Sequence, residues 1–146
     1  MKLQKGEEII LKKTPVISYF SQPLIFNDSD SPIQANTGVR GFMDFYLTNK
    51  RLLLEVSLLH MLIFDLPIKE IKKAFVRKDF LTTRLIVDSK VFIEHELPSD
   101  SLGVLVSIFN SIMRSTFLKP SRRVWIALGK DSYVWSEKIN NMIKKK

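Results

Sequence analysis

A chain of 146 residues fits one domain and can bury a core without metal or disulfide support. It has no cysteine, which excludes disulfides, thiolate metal sites and cysteine nucleophiles. Nor does it have an apolar run of the roughly 18 to 20 residues that span a bilayer, and acids interrupt the opening MKLQKGEEIILKK where a signal peptide would be apolar. The formal net charge of +8 favours acidic partners, set against a merely solubilising lysine surface to which Lys144, Lys145 and Lys146 alone give three charges. These features predict a cytoplasmic protein, at most peripheral at a membrane.

Glu8 to Phe20 reads as one strand broken near Pro15, or as two short ones. Residues 27 to 38, NDSDSPIQANTG, read as a long exposed loop. The stretch GFMDFYLTNKRLLL, Gly41 to Leu54, sets two apolar strands around Thr48-Asn49-Lys50-Arg51. Asn tolerates unusual backbone angles, and Thr and Asn side chains bond their own backbone, so this joint is predicted to be a tight antiparallel turn. A third apolar run, Met61 to Leu66, leads into a Pro67 to Ile71 corner. Strands are then predicted at Lys73 to Lys78, Thr83 to Asp88 and Val91 to Leu97, the last two separated by an Asp88-Ser89-Lys90 turn. That makes about seven strands before residue 98.

The period then changes. In residues 101 to 117, Leu102, Leu105, Phe109, Ile112 and Met113 share one helical face, with Ser99 or Asp100 as cap. This segment is the favoured plug for a small open barrel. A basic joint, Lys119 to Arg123, precedes a short apolar run, Val124 to Leu128, and a second helix from Asp131 with Trp135, Ile139, Met142 and Ile143 on one face. The favoured reading makes these an extra strand and a helix over an open barrel end, a C-terminal extension (118–146) packed on the domain formed by residues 1–117. The alternatives are that the final helix is itself the plug, with 101 to 117 an insertion, or that its Trp135, Ile139 and Met142 face meets a partner or a membrane.

Short antiparallel strands followed by an amphipathic helix resemble the pleckstrin-homology-like superfold, and details over residues 6 to 117 are similar to its GRAM and bacterial pleckstrin-homology branches. The resemblance rests on Gly6-Glu7-Glu8, on Gly41 with Tyr46 to Leu52, and on Leu66-Pro67-Ile68-Lys69-Glu70-Ile71. The GLUE domain of the endosomal sorting machinery has a similar opening and hairpin, with Val16 and Tyr19 matching its early strand. The resemblance implies a mainly β, seven-stranded, partly open antiparallel barrel capped by a helix. It also implies that Thr48, Asn49, Lys50 and Arg51 are architectural, with Arg51 paired to a carboxylate or covering the barrel rim. Such folds host lipid, peptide and ubiquitin binding, so function must be argued from the site.

The candidate anion-binding residues are Lys12 and Lys13 in the first segment, Lys72, Lys73, Arg77 and Lys78 around the fifth strand, and Arg84 in the sixth. Each Lys near an anionic membrane contributes only about 1 kcal/mol, so several must converge. The dense basic cluster of a phosphoinositide pocket is missing from the first hairpin, whose loop carries Asp28 and Asp30.

Enzymatic readings fare poorly. His95 lies between Glu94 and Glu96, so on a strand its ring points away from both carboxylates, and His60 is isolated. The DSDS stretch lacks the glycine and terminal glutamate of a calcium loop, and no phosphate-binding glycine loop occurs. Phe75 to Phe80 interleaves aromatic and basic residues but lacks the RNA-binding signature, so no nucleic acid is expected. The expectation is therefore a non-catalytic, cofactor-free binding or adaptor module. Its leading partner is an anionic lipid surface, and the alternative is a protein-interaction scaffold, with ubiquitin-like recognition if the GLUE resemblance is the closer one. Exposed apolar area on the barrel or the last helix would favour the protein partner. Converging lysines without such a patch would favour the lipid.

Overall fold

The computed structural model describes residues 1–14, 24–26, 38–39, 43–56, 61–78, 82–93 and 121–145. The predicted helix at 101–117, most of the loop at 27–38, and Asp28, Asp30, His60, Glu94, His95 and Glu96 lie outside them.

Two antiparallel sheets form. β1 (Ile9–Lys13), β4 (Met43–Thr48), β5 (Arg51–Val56) and β6 (Met61–Pro67) make the first, in that order. The second runs β3 (Gly38–Val39), β2 (Leu24–Phe26), β9 (Ser121–Ile126), β8 (Thr83–Ile93) and β7 (Ile71–Lys78). A 3-10 turn, Ile68–Glu70, joins the sheets, and one described helix, α1 (Asp131–Lys144), follows β9.

Strand alternation sorts side chains between the two faces of each sheet. Phe45, Leu47, Leu52 and Leu54 from the first sheet meet Leu85, Val87, Val124 and Ile126 from the second in one core, closed by Trp135 and Ile139 of α1. Gly129, at φ +61, takes a left-handed conformation that costs glycine little and turns β9 into α1; its N–H donates to the Thr83 carbonyl (3.0 Å).

α1 also covers an edge. β7 ends the second sheet, and the Asn140 amide pairs with both backbone groups of Ala74, accepting from its N–H (3.0 Å) and donating to its carbonyl (2.7 Å). The Ser136 hydroxyl donates to the same carbonyl (3.0 Å). A side-chain amide thus stands in for a neighbouring strand and blunts that part of the edge.

Three expectations are corrected. Asp88-Ser89-Lys90 does not reverse the chain: β8 runs continuously to Ile93, absorbing extra residues in a bulge whose Ser89 hydroxyl bonds locally. Counting that stretch as two strands fills the barrel one strand too early. The run around Val124 is accordingly no appended strand but an internal one, bonded to β2 on one side and β8 on the other. Lastly, Trp135 and Ile139 (2% and 0% exposed) form core and Met142 packs against it, so this face closes the barrel and is not available to a partner.

Trp135→Ala should cost about 3–5 kcal/mol in denaturant unfolding. Tyr133→Ala, at an exposed position of the same helix, should stay within about 0.5 kcal/mol. Equal costs would contradict the assignment of the buried face.

Candidate functional site

The hairpin Thr48-Asn49-Lys50-Arg51 is where the N-terminal segment meets the first sheet. Gly6, at φ +69, turns the chain so that Glu7, 6% exposed, points inward. Glu7 Oε1 accepts from Arg51 Nε (2.7 Å) and from the Thr48 hydroxyl (2.7 Å), and Oε2 accepts from Arg51 Nη2 (2.9 Å) and the Gln4 N–H (2.7 Å). Thr48 Oγ1 in turn accepts from the Lys50 and Arg51 N–H groups (3.2 and 3.0 Å). Its single donor and both lone pairs are thereby used. Arg51 also donates to Asp65 on β6 and to the Lys2 carbonyl.

Asn49 holds the same segment from the other side. Its Oδ1 accepts from the Glu8 N–H (3.0 Å) and its Nδ2 donates to the Gly6 carbonyl (3.0 Å). Lys50 Nζ donates to the Lys5 carbonyl, and the Lys50 carbonyl accepts from the Ile68 N–H (2.9 Å). With Met1 also meeting Glu55 (3.2 Å), residues 1–7 cross the outer face of β5, where Leu53 is fully buried. These side chains are spent on one another and on the N-terminal backbone.

The candidate cations divide. Arg84 is 4% exposed and so does not contribute to an accessible surface. Lys12 Nζ sits 5.3 Å from the Tyr46 ring centroid on the first sheet. Lys13 pairs with Asp131 at the start of α1, where the Ser132 hydroxyl donates to the carbonyl of Thr83, the register partner of Lys78, so Lys13 lies toward the Lys78 end of β7.

Lys72, Lys73, Arg77 and Lys78 are all exposed along β7. Lys73 and Arg77 share the outer face of the second sheet with Phe75, two residues apart in each step. Three cross-strand rows result there. Phe75 is level with Ile86 and Trp125, Arg77 with Arg84, and Lys73 with Asp88 and Arg123. The cations lie over the rings: Lys73 Nζ 5.0 Å from Phe75, Arg123 5.4 Å from Phe75, and Arg77 5.9 Å from Trp125. Asp88 holds Arg123 at 2.5 Å and Lys73 at 3.7 Å. Ile86 and Trp125 are themselves buried, with Phe75 packed against them, so the exposed charge of this face is carried by Lys73 and Arg77, whose stems pack down on the rings.

Comparison with known proteins follows from this geometry. The structure is similar to a solved structure described as the Vps36 N-terminal PH domain, with TM-score 0.53 and 16% identity, covering 99% of this chain and 84% of that one. The chain has the pleckstrin-homology-like fold. The GLUE domain, one of the branches its sequence resembles, is the pleckstrin-homology-like domain of Vps36. No family model matches the chain, and no curated protein matches it by sequence. A likeness at this identity shows the fold alone, and function is to be argued from the site. Among the described residues no group of three or more metal-ligating side chains occurs, and no helix is long and apolar enough to cross a membrane.

Sequence reasoning missed two features of this surface. Arg123 and Trp125 join the β7 cations only because β9 lies beside β8, a pairing that local pattern does not encode. The exposed Val91 and Phe92 were expected inside a regular strand.

The Glu7 carboxyl is held well below its ordinary 4.5, at about 2, chiefly by the Arg51 hydrogen bonds and against the opposing effect of burial. A depressed folded-state value stabilises the fold above the unfolded pKa, and the contribution is lost as pH falls from about 4.5 toward 2. Acid titration of stability should therefore show a loss of about 2 kcal/mol across that window. Glu7→Gln should be less stable at neutral pH and lack that part of the slope; an unchanged slope would contradict the junction.

Proposed function

We propose that the protein is a non-catalytic module that associates peripherally with anionic lipid headgroups, at a cytoplasmic membrane face, through the basic outer face and edge of the second sheet. The observation that supports this most is the exposure of Lys72, Lys73, Arg77 and Lys78 along one strand, backed by Arg123. Anionic leaflets attract each such charge by about 1 kcal/mol, and several on one rigid strand add without ordering a loop. Charge spread along a strand suits a surface better than a single enclosed headgroup.

A second reading has its own observation. Tyr133 and Val134 are adjacent and exposed on α1 beside Lys130 and Lys138, a small apolar and basic face suited to an acidic protein surface.

The test is co-sedimentation with phosphatidylserine-containing and neutral vesicles. The wild-type protein should bind only the anionic vesicles, and rising salt should release it. Lys72→Glu, Lys73→Glu and Lys78→Glu together should weaken binding more than about a hundredfold while thermal unfolding is unchanged. Unimpaired binding by the triple variant would overturn the β7 site. Loss on Tyr133→Glu with Val134→Glu instead would move the interaction to α1.

A further inference from the structure

The end of β8 carries a feature that charge alone does not explain. Asp88 pairs with Arg123 and Ile93 with Ser121, so four residues of β8, Ser89 to Phe92, stand against the single Arg122 of β9. The surplus pushes out of the sheet as a bulge. Bulges of this kind redirect side chains, and here they expose two apolar ones, Val91 (43%) and Phe92 (51%).

The bulge is tied down. The Ser89 hydroxyl donates to the Glu70 carbonyl (3.3 Å) and accepts from the Val91 N–H (3.2 Å). Lys90 Nζ donates to the Lys69 carbonyl (2.8 Å). The connection between the sheets thus braces the bulge from below, so the apolar pair is presented with little left to order on contact.

Its surroundings are basic. Lys69, Lys72, Lys90 and Arg122 are exposed around it, and the register of Ile71 with Ser89 sets Lys72 at its base. Among the described residues, Glu70 beside the bulge is half-buried and Asp88 holds Arg123. The Arg122 guanidinium lies 4.6 Å from the centroid of the Phe92 ring. An aromatic ring beneath a cation, ringed by lysines, has the layered polarity of a membrane interface, with the ring at the acyl boundary and the charges at the headgroups. Two side chains fall far short of the roughly 800 Å² per partner of a standard protein interface.

We infer that Val91 and Phe92 form a wedge that enters the headgroup region of an anionic lipid surface, while Lys69, Lys72, Lys90 and Arg122 hold its phosphates. The inference rests on the membrane reading and adds an apolar anchor and an orientation: the bulge at the end of β8 points at the bilayer, with β7 alongside.

Because the chain has no cysteine, Phe92→Cys provides a unique site for an environment-sensitive fluorophore. Phosphatidylserine-containing vesicles should shift its emission to the blue, while the same label at Tyr133→Cys stays unshifted. Val91→Ser with Phe92→Ser should weaken vesicle binding about tenfold or more, since the lost apolar transfer is not replaced by charge, and its thermal unfolding should match the wild type. If the wild type binds but the Phe92 label stays in water and the double variant binds normally, the wedge is overturned, the electrostatic surface stands, and the pair is left for a protein contact. If the wild type ignores anionic vesicles, the membrane reading fails and the wedge with it.

Discussion

The buried pairing of Glu7 with Arg51 is the constraint from which the architecture follows. Arg51 begins β5, Glu7 lies in the segment that enters β1, and Asp65, which takes the remaining face of the guanidinium, sits on β6. One fork of donors therefore ties β5 and β6 to the N-terminal segment that enters β1. Such pairs are weak sources of net stability, because desolvation offsets much of the attraction, yet removing either partner leaves a buried charge at a cost of about 3–5 kcal/mol. The pair is better read as a device that fixes register: a one-residue slip of β5 would turn Arg51 and Leu53 to the wrong face. Thr48 makes the device local, since its hydroxyl bonds the same carboxylate while closing the turn.

The exposed charge lies instead on the second sheet, along β7. The residues most conspicuous in the sequence, Thr48 to Arg51, are consumed by one another and by the N-terminal backbone, whereas the exposed cations of β7 do nothing for the core. The aromatic row beneath them explains why they can stand in line. Phe75 takes Lys73 and Arg123, which Asp88 bridges, and Trp125 takes Arg77. Fold alone would admit many partners. It is this arrangement, with the braced bulge at the end of β8, that favours a charged surface.

Where the chain announced itself, it did so through local chemistry. The hairpin was legible because Thr and Asn carry the turn in their own side chains, and the strand at Lys73 to Lys78 because its apolar and basic residues are bounded by a corner and a break. The bulge at Ser89 was illegible as such: a polar Asp-Ser-Lys triplet looks like a reversal, and only the Glu70 and Lys69 carbonyls, distant in the chain, make it a detour. The short strands β2 and β3 carry too few residues to show a period, and β2 pairs with β9 across a long stretch of sequence. Among the site residues, exposure of the β7 cations followed from their position on a strand. The burial of Arg84 did not, because it depends on what packs across from it.

The most direct test of the membrane-facing account is lysine footprinting by mass spectrometry, with and without phosphatidylserine-containing vesicles. The account predicts protection at Lys69, Lys72, Lys78 and Lys90, with Lys5 and Lys138 as reactive as in the free protein. Protection centred on Lys130 and Lys138 of α1, with the β7 and β8 lysines unchanged, would contradict it.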